Sequence, residues 1–145
     1  MYSIELRENV IISTELTYVN DLLPHEEVVK ERMEKLILYL TSLKPYIIIP
    51  SILICSKSNM IIDGHHRYYA LQKLGFEKIP ITKIKYESDL ITTHIENNIS
   101  KEDLINAALN RKILPPKSSF HHIMDVNYKL QPIILLSVLT RLDYL

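Results

Sequence analysis

A carboxylate, two imidazoles and a guanidinium crowd around a glycine in the run Asp63-Gly64-His65-His66-Arg67. The run lies between the apolar stretch Met60-Ile61-Ile62 and a helix-like stretch from His66 to Leu74. A strand that turns into a helix at a glycine presents unpaired N–H groups and a partial positive charge, which suits phosphate. Arg67 adds a planar donor fork that fits phosphate oxygens. His65 and His66 can donate hydrogen bonds, more strongly when protonated. Asp63 is placed to hold Mg²⁺ or to orient a hydroxyl. Taken singly, each residue also suits a capped helix with solvated polar side chains; the run as a whole favours phosphate. Zinc fits poorly. Adjacent histidines on a helix diverge by about 100°, and no Cys-x-x-Cys or His-x-x-x-His accompanies them.

Two further segments carry chemistry. Pro24-His25-Glu26-Glu27 reads either as acids favoured by a helix dipole or as a carboxylate base near the phosphate. Pro116-Lys117-Ser118-Ser119-Phe120-His121 reads either as a polar loop or as a site for a carboxylate or phosphate. Five of the six histidines (His25, His65, His66, His121 and His122) fall in or beside these three segments. Chance would scatter them more widely, so the segments are expected to meet in space.

The elements that must position these residues follow from apolar spacing. Val10-Ile11-Ile12 and Thr17-Tyr18-Val19 read as short strands. From Glu26 to about Leu40, the positions Val29, Met33, Leu36, Ile37 and Leu40 recur at helical spacing, with Glu26 and Glu27 in the first turn. Lys44-Pro45 stops that helix. Tyr46 to Ile49 and Ile52 to Cys55 are β-branched runs, broken by Pro50. Lys57-Ser58-Asn59 is a turn, and Met60 to Ile62 begins a strand that Gly64 ends. A helix from His66 to Leu74 buries Ala70, Leu71 and Leu74 and is capped by Gly75. Ile79 to Ile84 is another strand. Ser100 and Asp103 form a capping box for a helix to about Asn110, which buries Leu104, Ile105 and Ala108. Leu114 to His122 reads as an ordered loop. Gly64 and Gly75 are the chain's two glycines.

With 145 residues, 47% of them hydrophobic, the chain reads as one α+β domain with an ample core. Lys plus Arg equal Asp plus Glu at 17 each, which argues against bulk nucleic-acid binding and against a nuclease. Cys55 stands alone in an apolar run and reads as a buried thiol. The N-terminus lacks a basic stretch followed by an apolar one, and Pro132 to Leu139 is too short to span a bilayer. No membrane association is expected, and cytoplasmic residence is the default. The apolar tail, residues 123–145, is suited to packing on the domain or on a second copy, which would make a homodimer.

The strand, the Asp-Gly-His-His-Arg run and the following aromatic-x-x-Leu-Gln-Lys-Leu-Gly resemble the ParB/sulfiredoxin-like superfamily, and within it the free L-serine kinase branch. Pro24-His25-Glu26, Asp63 to Arg67 and Pro116-Lys117-Ser118-Ser119-x-His121 match in order, with Lys44-Pro45 between the first two. The resemblance covers about residues 15–122. It implies a compact domain with a small mixed sheet flanked by helices, transferring a phosphoryl group from ATP or ADP, with Mg²⁺, to free L-serine. By position, it implies Glu26 as base and Asp63 beside it, assisting with the hydroxyl or Mg²⁺, with His65 in the catalytic set. Gly64, His65, His66 and Arg67 would cradle nucleotide phosphates. Lys117, Ser118, Ser119 and His121 would hold the serine carboxylate and the transferred phosphate. The chain departs from the pattern at Ser118-Ser119, usually Thr-Thr, and at Phe120, often Arg. It also has no Trp, and a short span from about Tyr86 to Leu114. Sulfiredoxin has a cysteine where this chain has His65. A non-catalytic ParB-like regulatory module binding CTP or ATP is the alternative reading.

Overall fold

In the computed structural model, which describes residues 4–93, 99–116 and 119–144, the site is carried by a sheet buried on both faces. Its central strand β3 (Ile52–Cys55) is buried at every position. Strand β5 (Lys78–Ile84) runs parallel to β3. Strands β1 (Ile11–Tyr18) and β4 (Ile61–Asp63) are antiparallel to β5 and β3, giving the order β1-β5-β3-β4.

Alternating side chains feed two cores. Ile52, Ile54, Ile61, Ile79 and Ile81 pack with Leu40 of α1 (Lys30–Thr41) and with Tyr68, Ala70 and Leu71 of α2 (His65–Lys73). Ile47 and Ile49 of β2 (Tyr46–Pro50) join them. On the opposite face Leu53, Cys55 and Ile62 pack with Leu104 and Ala108 of α3 (Lys101–Leu109). Each such aliphatic side chain contributes about 1.5–3 kcal/mol when fully buried. Covering both faces is why these strands are near-continuous apolar runs rather than alternating ones. The expected small mixed sheet flanked by helices is the observed architecture.

The local signals at helix ends are met. Ser100 Oγ accepts the Asp103 N–H at 3.0 Å, and Asp103 Oδ2 accepts the Ser100 N–H at 3.1 Å. After α2, the Gly75 N–H reaches the Gln72 carbonyl at 3.0 Å and the Phe76 N–H reaches that of Leu71 at 3.1 Å. This Schellman closure uses the positive φ of +89° at Gly75.

Four local expectations are corrected. The two short N-terminal strands are one, because Ser13 to Leu16 pair continuously with β5 although they lack an apolar run. The first helix starts at Lys30 rather than Glu26, because residues 24–29 are extended. In α3 Ala107 is buried alongside Leu104 and Ala108, and Ile105 is half-buried. His121 and His122 belong to a strand, β7 (His121–Met124), rather than a loop. Strand β7 lies between β6 (Ile91–Thr93) and β8 (Leu130–Pro132).

The core also extends past residues 15–122. It includes Val10, Ile133, Leu136 and Leu142. The tail packs on its own domain, with β9 (Leu139–Asp143) antiparallel to β2. Among the described residues, no helix is long and apolar enough to cross a membrane.

Candidate active site

Residues 24–29 form an extended strap across the end of the sheet. On one side Leu23 bridges to Met60, with the Ile61 N–H donating to the Leu23 carbonyl at 3.0 Å. On the other, Glu26 bridges to Leu114. The Leu114 N–H donates to the His25 carbonyl at 2.7 Å, and the Glu27 N–H to the Leu114 carbonyl at 2.8 Å. These bonds use the backbone groups a helix would need, so the acids lie on a strap rather than in a helical first turn.

The strap is fastened to α2 by the two histidines. His65 Nε2 accepts the main-chain N–H of His25, and His66 Nε2 accepts that of Val29, each at 3.1 Å. The two bonds fall on either side of Glu26, which is buried. A nitrogen that accepts carries no proton, so each ring is the Nδ1–H tautomer in its neutral state. For His65 the neutral state is enforced: burial, and then the neighbouring His25, His66 and His121, hold its pKa well below 6.5.

Arg67 also points inward. Its Nη1 donates to the Pro50 and Ser51 carbonyls at 3.0 and 2.8 Å, and its Nη2 to Asp63 Oδ2 at 2.9 Å. Burial lowers its pKa, and Asp63 opposes that shift. The guanidinium therefore ties the β4–α2 turn to the start of β3 and fixes one oxygen of Asp63. Gly64 makes room for it. With φ at +112°, a Cβ on residue 64 would lie 2.8 Å from Arg67 Nη2. The N-cap residue Gly64 has no side chain with which to cap α2, and the N–H groups of a first turn have no intrahelical acceptor.

The three sequence segments do meet. A cavity of about 400 Å³ is lined by Glu26, by Asp63 through Arg67, and by Ser119. Ser119 Oγ donates to Glu26 Oε2 at 2.9 Å and lies 3.2 Å from His25 Nε2. His25 is wholly buried, and burial lowers its pKa to about 4. His121 does not line the cavity. It is buried, with Nε2 2.8 Å from the Tyr86 hydroxyl. Burial lowers its pKa to about 3, with smaller effects from His25, Lys101 and His122. Lys117 and Ser118 lie outside the described residues.

Two polar residues outside the sequence motifs belong to the site or support it. Arg32, exposed in the first turn of α1, lines the cavity together with Phe120 and Ile134. Among the described residues it makes no ion pair. No sequence pattern marked it, because its position depends on where the strap lets α1 begin. Tyr86 is the other, and no sequence signal marked it.

Among the described residues, no group of three or more His, Cys, Asp or Glu side chains could hold a metal by itself. Asp63 and Glu26 on one cavity do fit Mg²⁺, which takes one or two carboxylates when substrate phosphates complete its shell.

A mixed sheet with β4 passing through a glycine into a helix whose first turn lines a cavity is the ParB-like fold found in free serine kinases. Solved free serine kinase structures align with this chain at TM-score 0.50 and 26% identity, over 64% of this chain and 38% of theirs. They include a complex with AMP and a glutamate-to-alanine variant with ADP. In sequence, the chain is 38% identical over 85 residues to a ParB-like protein of Sulfolobus acidocaldarius, covering 57% of this chain and 40% of the relative. It is also 38% identical over 74 residues to an ATP-dependent L-serine kinase of Staphylothermus marinus, covering 47% of this chain and 28% of the relative. The chain thus matches less than half the length of these relatives. No family model matches it.

Proposed function

We propose that this domain transfers a phosphoryl group from ATP or ADP to the hydroxyl of free L-serine, giving O-phospho-L-serine. The observation that carries the reading is Glu26. Its carboxylate already accepts a serine hydroxyl, that of Ser119, at 2.9 Å, in the cavity that the start of α2 lines. A base must be within hydrogen-bond reach of the proton it takes, and this distance satisfies that requirement. Similarity to the L-serine kinase of Staphylothermus marinus and to the nucleotide complexes of free serine kinase supports the donor and acceptor.

Phosphoryl transfer depends on positioning and on neutralising charge. We assign the nucleotide phosphates to the first turn of α2, at Gly64, His65, His66 and Arg67, where main-chain N–H groups act as donors. The side chains of His65, His66 and Arg67 then serve by holding the strap and the turn in place. Arg32 supplies a cation toward the phosphates. Glu26 takes the proton of the substrate hydroxyl, and Ser119 yields its place on that carboxylate. Lys117 and Ser118 would bind the substrate carboxylate and phosphate. His121 would act from outside the lining of the pocket. Asp63 would hold Mg²⁺, which supplies charge neutralisation at the transferring group.

The test is incubation of the protein with L-serine, Mg²⁺ and either ATP or ADP, followed by detection of O-phosphoserine. Glu26→Gln should abolish product and leave nucleotide affinity nearly intact. Nucleotide binding without product from either donor would overturn the kinase reading. The similarity to a ParB-like protein favours the second reading, a nucleotide-binding regulatory module. In that case Glu26→Gln should change little.

A further inference from the structure

We infer that Ser119 is itself a phosphoryl acceptor, so that in the absence of free serine the domain phosphorylates its own chain there. The inference rests on the kinase reading of the same site, because it uses the same base and the same phosphate-binding turn.

The geometry around Ser119 Oγ is that of an activated hydroxyl. A carboxylate can only accept, so the single Ser119 proton points at Glu26 Oε2, 2.9 Å away. His25 Nε2, at 3.2 Å, must then be the donor to the Ser119 oxygen. The rest of the His25 ring agrees. Its Nδ1 is buried without a hydrogen-bond partner, as fits an unprotonated nitrogen better than an N–H donor left unsatisfied. One lone pair of Ser119 Oγ accepts the hydrogen bond from His25 Nε2–H, and the second remains for attack. Ser119 lines the same cavity as Gly64 and the start of α2. It stands two residues before β7, which anchors it on that side.

The step balances. A bond forms between Ser119 Oγ and the terminal phosphorus of a nucleoside triphosphate. The bond from that phosphorus to its bridging oxygen breaks, the nucleoside diphosphate leaves with the electron pair, and the Ser119 proton passes to Glu26. The product places a phosphate between Glu26 and His25, where it fills the acceptor position. Modification is therefore a single event per chain, and it blocks transfer to free serine.

The experiment uses phosphatase-treated full chain with Mg²⁺ and ATP and no serine, read by intact mass and peptide mapping. The expected result is one phosphoryl group per chain, on the peptide carrying Ser119. It should be absent from Glu26→Gln and Ser119→Ala, restored in Ser119→Thr, and suppressed by added L-serine. If free serine is phosphorylated while the chain keeps its mass under both conditions, the inference fails and the kinase reading stands. Phosphate on another residue, or persisting in Ser119→Ala, also overturns it. If neither chain nor free serine is phosphorylated with ATP or with ADP by a protein that binds them, both fail.

Discussion

His66 Nε2 accepts the main-chain N–H of Val29 at 3.1 Å, and this bond closes one end of the strap that carries Glu26. His65 closes the other end through the His25 N–H. The histidine pair beside the phosphate turn thus holds a base in place through two bonds that span 37 and 40 residues of sequence. A positioning role of this kind separates turnover from nucleotide affinity.

His66→Ala should lower kcat and leave nucleotide Kd within about twofold, since the lost bond is worth about 1 kcal/mol and frees the strap rather than the phosphates. His66→Gln, whose amide oxygen can accept, should recover part of the loss. Calorimetric titration with nucleotide, alongside turnover, checks this. A loss of affinity as large as the loss of kcat would mean that His66 touches phosphate directly.

Gly64→Ala should lower stability by about 1–3 kcal/mol from the positive φ alone. The added methyl also pushes on Arg67 Nη2. Arg67→Ala should cost about 3 kcal/mol, the low end for breaking a buried pair, because Asp63 is partly exposed and water relieves it. Arg67→Lys should rescue little, since an ammonium cannot reproduce the fork to Pro50, Ser51 and Asp63. Urea unfolding curves measure all three.

Acid should unfold the domain through its buried histidines. His25 and His121 are held at about 4 and about 3, and His65 well below 6.5. Below pH 6.5 the unfolded chain takes up protons that the native chain refuses. Stability is therefore full above that pH and falls as pH drops toward 4 and then 3, by up to about 1.4 kcal/mol per pH unit for each group. Unfolding midpoints should be level from pH 7.5 to about 6.5 and decline from there to pH 4, and His25→Gln should flatten the slope. A midpoint independent of pH over that range would contradict the neutral, buried assignment.

Arg32→Ala should weaken nucleotide binding about tenfold, the equivalent of about 1.4 kcal/mol. It should leave the unfolding midpoint unchanged, because the side chain is exposed and makes no ion pair among the described residues. The loss should shrink at high salt, as for an exposed charge. A fall in stability with unchanged affinity would make Arg32 structural.

Features written in local hydrogen bonds and local periodicity are legible in the chain before it folds. The strand–Gly64–helix turn, the Gly75 closure, the Ser100–Asp103 box and the apolar runs of β3 and β5 all depend on neighbours a few residues apart. Tertiary structure decided what depends on distant partners. Glu26 and Glu27 directly precede the helically spaced Val29 and Met33, yet Leu114 captures the backbone of His25 and Glu27 into a strap. Arg67 has the chemistry of a phosphate ligand, yet the carbonyls of Pro50 and Ser51 draw its fork inward. His121 has the chemistry of a substrate ligand, yet strand pairing turns it toward Tyr86. A residue's type sets which bonds it can make. Which one it makes depends on the groups that chain closure brings within about 3 Å, and no local pattern encodes that.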